Sequence, residues 1–344
     1  MSSPHRPRDL RLLAALATVY LVWGSTYLGI AIAIRTIPPF TMGALRFAAG
    51  GGLLLGWELV SGGLRRERPT RRQVRDAAVV GVLLLGIGNG FVAFGEQTVA
   101  SGIAAVLVAM VPVWLAVLGW VYLRERLPRT VVAGIALGLG GVVVLVWPEP
   151  GARLEVLGIG VLILAPLGWA HGSLFSARRA DLPRRPLTTT GIQMLAGATT
   201  LAIEGILTGE AGRLDPAGVS AASIGAVVYL TLVGSILAFN AYAWLLRNAP
   251  LSLAGTYAYV NPVVAVALGA IFLAEPISTR TLVASGVIVV AVAMIVTARS
   301  RAGASRGGVA VDPEEAIRLD LPAEPEAVPA GSPARSVPQP TQVP

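Results

Sequence analysis

The chain has 344 residues, 54% hydrophobic and 13% charged, with a mean hydropathy of +0.70, a balance that argues against a soluble globular enzyme and leaves room for about ten bilayer helices of about 20 residues. All 27 basic residues are arginines, giving a net charge of +8; they fall between apolar stretches rather than on one soluble domain, which argues for topology signals and against nucleic-acid binding. With no cysteine and two histidines, neither a disulfide nor a metal site is expected, and no cofactor is expected.

In chain order, apolar runs of about 18 to 25 residues bounded by charge, proline or glycine predict spans near 12–34, 40–60, 77–95, 101–122, 130–147, 157–177, 188–208, 221–246, 251–273 and 280–298. Residues 1–11 form a short cytoplasmic N-terminus. The first run is too long for a cleaved signal peptide and continues into Trp23, Tyr27 and Arg35 without a small-residue cleavage site, so it is expected to stay in the bilayer. With the N-terminus inside, the cytoplasmic segments collect Arg6, Arg8 and Arg11, six arginines from Arg65 to Arg75, Arg124, Arg126 and Arg129, four from Arg178 to Arg185, and Arg247. Outside fall Arg35, Arg153, Arg213 and Arg280. This bias of 17 to 4 predicts both termini inside. From Arg299 the chain changes: eight prolines lie from Pro313 to Pro344 among acidic residues, and 299–344 reads as a disordered cytoplasmic tail.

Displaced by 150 positions, residues 98–127 match 248–277 without a gap at Ala104/Ala254, Pro112/Pro262, Val113/Val263, Leu118/Leu268, Gly119/Gly269, Leu123/Leu273 and Glu125/Glu275. Slightly smaller offsets pair Trp23 with Trp169 and Thr41 with Thr188. Two halves, 12–147 and 157–298, then hold five spans each. Because five is odd, the second half enters the membrane inverted. The expected fold is an all-α polytopic membrane protein of ten transmembrane helices in two inverted five-helix repeats. Alternating access uses this architecture, with the substrate near the midplane; the plainer alternative is an old duplication kept for packing.

Several short motifs occur in a fixed order. They are Trp23-Gly24-Ser25-Thr26-Tyr27, Arg46-Phe47, Gly88-Asn89-Gly90 through Glu96-Gln97, Ser101-Gly102, Pro112 and Glu125, then Trp169 with Gly172-Ser173-Leu174, Gln193-Met194, and Thr256 through Pro262 to Glu275. In these residues and their spacing the chain resembles the drug/metabolite transporter superfamily, and within it the ten-span EamA type, over residues 12–298. The resemblance implies a bacterial inner-membrane exporter of amino acids, other metabolites or drugs. It also implies two inverted repeats around a central cavity lined by spans three, four, eight and nine. His171 and the tail depart from the family pattern.

A polar side chain within the bilayer is costly unless it faces protein or water, so each one is a candidate for the pathway. Trp23 and Trp169 lie near the middle of the first and sixth spans and are expected to form two walls of one cavity. Through the resemblance, Ser25, Asn89, Trp114, Asn240, Tyr257 and Asn261 join them as substrate-binding candidates. Core or lipid packing is the alternative for the aromatics, and interhelical hydrogen bonding for the asparagines. Arg46, roughly 9 Å into the second span by helix rise, and Glu96, ending the third span, are expected to form an ion pair or gate, unless both snorkel. His171 can change charge near neutral pH and is a candidate proton carrier, set against a neutral, hydrogen-bonded histidine. Glu125 and Glu275 are expected to serve helix N-termini, and Glu58 and Glu204 to snorkel. Pro112 and Pro262 are candidate hinges, with static kinks as the alternative. Gly52 with Gly56 and Gly134 with Gly138 have the spacing of close helix contacts, inside the bundle or on a homodimer surface.

With one arginine away from the span ends, the cavity is expected to take neutral or zwitterionic small molecules, since phosphorylated sugars and nucleotides would call for several basic groups. The expected function is a secondary transporter exporting amino acids or related metabolites. A broad drug exporter of the same fold is the alternative, and a membrane receptor or scaffold a lesser one. An enzyme is disfavoured because His171 has no evident acidic partner in sequence. The Gly86-x-Gly88-x-Gly90 run lies inside a span with no following lysine, so energy is expected from a gradient, with protons as the candidate coupling ion.

Overall fold

A computed structural model describes residues 7–124, 127–147, 155–248 and 256–306. The described chain is almost entirely helical. It runs as α1 (Pro7–Ala33), α2 (Pro39–Val60), α3 (Arg71–Gly95), α4 (Ser101–Val108 and Val111–Leu123), α5 (Arg129–Val146), α6 (Val156–Arg178) and α7 (Pro186–Leu207). Then follow α8 (Ala221–Tyr229, Leu230–Leu237 and Ala238–Asn248), α9 (Tyr257–Leu273) and α10 (Thr279–Arg306). Among the described residues, eight helical stretches are long and apolar enough to cross a membrane, one each in α1, α3, α4, α5, α6, α7, α8 and α10. Val260–Leu273 in α9 is apolar but shorter. The described residues up to 301 form one compact unit; beyond it the described residues are 302–306. The disordered tail is expected from Arg299, but α10 runs on as helix to Arg306; the remainder of that segment, from 307 onward, and Glu125 lie outside the described residues.

The helix ends follow from local chemistry. Prolines start α2 at Pro39 and α7 at Pro186, where the missing N–H costs nothing. Thr70 and Gln73 cap the start of α3 reciprocally, and the Ser220 hydroxyl accepts the Ser223 N–H at the start of α8. Both α4 and α9 end on a non-glycine residue in the left-handed region, Arg124 (φ 51°) and Ala274 (φ 53°). Their N–H groups reach back to the carbonyls of Gly119 and Gly269, a left-handed helix stop. Inside α3 and α8 the turns widen to π-helix over Val82–Asn89 and Leu230–Leu237, which changes the face presented by every residue beyond.

Helices of the first half pack mainly on helices of the second. α1 packs along α8 and α9, α6 along α3 and α4, α2 along α7, and α4 on α9. Polar ties hold α2 and α7 at both ends. Glu210, just beyond α7, accepts from the N–H groups of Phe40 (3.1 Å) and Thr41 (2.7 Å) and from the Thr41 hydroxyl (2.8 Å) at the start of α2. Glu58, near the end of α2, is buried and accepts from Arg185 Nε at 2.6 Å and Nη2 at 3.3 Å at the start of α7. Glu58 therefore does not snorkel, because Arg185, itself partly exposed at the start of α7, reaches in to pair with it. Gly134 and Gly138 face α10, as close packing requires, whereas Gly52 and Gly56 face open space. The reason is rotation: α2 turns Gly50 and Gly51 toward α7 instead.

Candidate functional site

The helices leave a cavity of about 100 Å³. From α1 come Trp23, Thr26, Tyr27 and Ile30, at the three- and four-residue spacings of one helix face. Arg46 enters from α2, Asn89 and Val92 from α3, Trp169 from α6, Phe239 from α8, and Tyr257, Asn261 and Pro262 from α9. Residues of α4, from Ala105 to Val111, complete the wall.

Aromatic rings build much of this surface. The Trp23 ring centre lies 5.0 Å from those of Tyr242 and Tyr257 and 5.5 Å from that of Phe239, in edge-on or tilted geometries that suit the ring quadrupoles. Trp169 lies against Gly88, where any side chain would overlap its indole. Asn89 donates to the Leu84 carbonyl at 3.2 Å, satisfying an acceptor inside the widened turns. With its amide oriented to satisfy both contacts, Asn261 donates to the Tyr20 carbonyl at 3.3 Å and the Tyr257 carbonyl at 3.2 Å. Beside it the hydroxyls of Tyr20 and Thr256 are hydrogen-bonded.

Arg46 is 4% exposed, its Nε donates to the Ser235 hydroxyl at 3.0 Å, and its guanidinium lies 4.7 Å from the Phe47 ring centre. It forms no ion pair among the described residues. The expected pair with Glu96 is absent, because Glu96 sits beyond the last turn of α3 with Tyr27 and Glu275 as its electrostatic neighbours. Neither Glu96 carboxylate oxygen has a hydrogen-bond partner. Burial first, then the charge of Glu275, holds the Glu96 carboxyl well above the usual carboxylate range. Glu275 serves the helix start expected of it, accepting the N–H groups of Ser101 (2.9 Å) and Gly102 (3.2 Å) at the head of α4.

Of the residues singled out in the sequence, Trp23, Arg46, Asn89, Trp169, Tyr257, Asn261 and Pro262 meet on the cavity. Ser25 does not; two positions from Trp23, it turns to the Tyr229 hydroxyl at 2.5 Å and the Val22 carbonyl at 2.8 Å. His171 stands in the same relation to Trp169. Its Nδ1 lies 3.0 Å from the Leu167 carbonyl and its Nε2 3.4 Å from the hydroxyl of the exposed Tyr122. Trp114 packs on the main apolar core. Asn240, next to Phe239, is exposed and donates to the Ile236 carbonyl at 2.8 Å. Pro112 stands in the first turn of the second segment of α4, after a break at Ala109 and Met110, while Pro262 lies inside α9. Sequence reasoning passed over Thr26, Tyr27 and Phe239; for the first two, helical spacing from Trp23 was the available signal.

The model of the EamA-like transporter family matches residues 11–147 and again 156–297. The chain belongs to the EamA-like transporter family. It is thus a membrane transporter. Among its relatives, the inner membrane transporter YedA of Escherichia coli K12 is 40% identical over 290 residues, covering 83% of this chain and 90% of YedA. A transporter of Archaeoglobus fulgidus is 24% identical over 286 residues, covering 83% of this chain and 98% of the relative. One crystal structure, 23% identical, shares the fold with a TM-score of 0.59, covering 87% of this chain and 100% of that one.

Proposed function

We propose that this EamA-like transporter is a secondary carrier of the bacterial inner membrane that exports amino acids or related small zwitterionic metabolites. It works by alternating access between two inverted five-helix repeats, 12–147 and 157–298, with both termini cytoplasmic. Several features support the repeat reading. The family model matches twice, the left-handed stops at Arg124 and Ala274 stand 150 positions apart, and the π-helical stretches begin at Val82 and Leu230, 148 positions apart. The name of the YedA relative supports the inner membrane.

The observation that carries the substrate reading is Arg46, a buried guanidinium on the cavity wall with one hydrogen bond, to a neutral hydroxyl, and no acidic partner among the described residues. A substrate carboxylate completes it, since charge-assisted bonds to a guanidinium are strong where water is excluded. The rings of Trp23 and Tyr257 offer faces to an ammonium or an apolar side chain. A cavity of about 100 Å³ suits a small metabolite, whereas drug-sized ligands occupy pockets of about 300–1,000 Å³.

Counterflow of labelled neutral amino acids into proteoliposomes tests this. Saturable exchange is expected, lost in the Trp23→Ala and Trp169→Ala double variant. Arg46→Gln is expected to raise the half-saturating concentration about tenfold or more, the worth of one charged hydrogen bond. No exchange by folded wild-type protein overturns the amino-acid reading. Aromatic walls at Trp23, Tyr27, Trp169 and Phe239 favour the drug-exporter alternative if bulky lipophilic cations are exchanged instead.

A further inference from the structure

Glu96 stands one helical turn beyond Val92, and Ser101 opens α4 one turn before Ala105; both Val92 and Ala105 line the cavity. At this end of the cavity the polar groups are left incomplete. Glu96 is 8% exposed with both carboxylate oxygens unpartnered, and the Ser101 hydroxyl, on a residue 1% exposed, is unpartnered too. Glu275 cannot help, since both its oxygens are committed to backbone N–H groups of α4.

Of the groups around Glu96, the Glu275 carboxylate makes ionisation harder still. Tyr27 faces it from α1 and Glu275 from the 274–278 connection. Against the adjoining turn of α3, α6 presents Leu162 and Gly158, and α2 stacks Phe40 on Phe94. Arg46 of α2 is bonded to Ser235, and Glu204 of α7 lies near Gly90, six residues back along the helix. A carboxylate buried with neither hydrogen bond nor counter-charge is strongly disfavoured, and a bound proton removes the penalty.

We propose that Glu96 is the proton-binding group of this transporter, holding one proton while the cavity end formed by the 96–100 and 274–278 connections is closed and releasing it to water when that end opens. The proton comes from water onto one Glu96 oxygen and returns to water from the same carboxyl, so one proton is bound and released at this site as the end closes and opens. The role expected of His171 passes to Glu96, because His171 is off the cavity and Glu96 adjoins it. The coupling rests on the transporter reading; the bound proton does not.

Infrared difference spectroscopy on the purified full chain separates the two. At neutral pH the wild type minus Glu96→Gln spectrum is expected to contain the carbonyl stretch of a buried protonated carboxyl, shifted in heavy water. Glu275→Gln, which keeps an acceptor for the α4 N–H groups but removes the charge, is expected to move the loss of that band down by about one pH unit. A wild-type band that Glu96→Gln leaves unchanged, or no protonated carboxyl at neutral pH, overturns the proposal. Because these readouts need no substrate, failure of amino-acid exchange with the band intact refutes the substrate reading alone. Should Glu96→Gln fail to fold, the pH shift in Glu275→Gln decides: an unmoved band overturns the assignment.

Discussion

A methyl group at position 88 would overlap the Trp169 indole, and one at position 52 would meet nothing. Gly88→Ala is therefore expected to push Trp169 into the cavity and to lower stability by about 1–3 kcal/mol, the usual cost of overpacking, while Gly52→Ala stays within about 0.5 kcal/mol. Thermal unfolding and the tryptophan emission of the two variants check this; equal midpoints would refute it. At this scale the sequence was legible in part. Depth along a helix can be counted, which places Trp23, Asn89, Trp169 and Asn261 at the level of the cavity they line. Which way a residue faces depends on helix rotation, set by neighbours distant in sequence, and so Ser25, His171 and Asn240, one or two positions from lining residues, turn away from the cavity. Arg46 and Glu96 were matched by depth and opposite charge, yet a neutral hydroxyl on α8 meets the arginine.

Helices were the most legible elements, because long apolar runs bounded by arginine, proline and glycine leave little else to build in lipid. Their irregularities were not. The widened turns at Val82–Asn89 and Leu230–Leu237 interrupt neither the apolar composition nor the helix, so no residue type announces them. The head of α4 depends on a residue far along the chain, since Glu275 accepts its first two N–H groups. Glu275→Ala is expected to cost about 1–2 kcal/mol, the upper range for a lost cap, and Glu275→Gln less, because the amide oxygen still accepts. Thermal unfolding in detergent measures both, and an alanine variant as stable as wild type would show the cap to be idle.

For the molecule as a whole, the arginine bias makes orientation testable, and the chain has no cysteine to confuse the result. Arg213→Cys is expected to react with a membrane-impermeant maleimide on intact cells and Arg66→Cys only after the membrane is opened; the reverse pattern would invert the topology. The sequence repeat pointed to two halves, but not to how thoroughly they interlock, because packing between distant segments leaves no local pattern.

That interlocking has a consequence for how the protein is made. α2 is synthesised in the first half with Arg46 and Glu58 in its length, and it is not among the helices apolar enough to cross a membrane by composition alone. Its partners Arg185, Glu210 and Ser235 all belong to the second half. On the ribosome, α2 must wait at the membrane with two unanswered charges until those residues emerge. A nascent chain halted before α7 is therefore an unfinished client for chaperones and proteases rather than a half-built transporter.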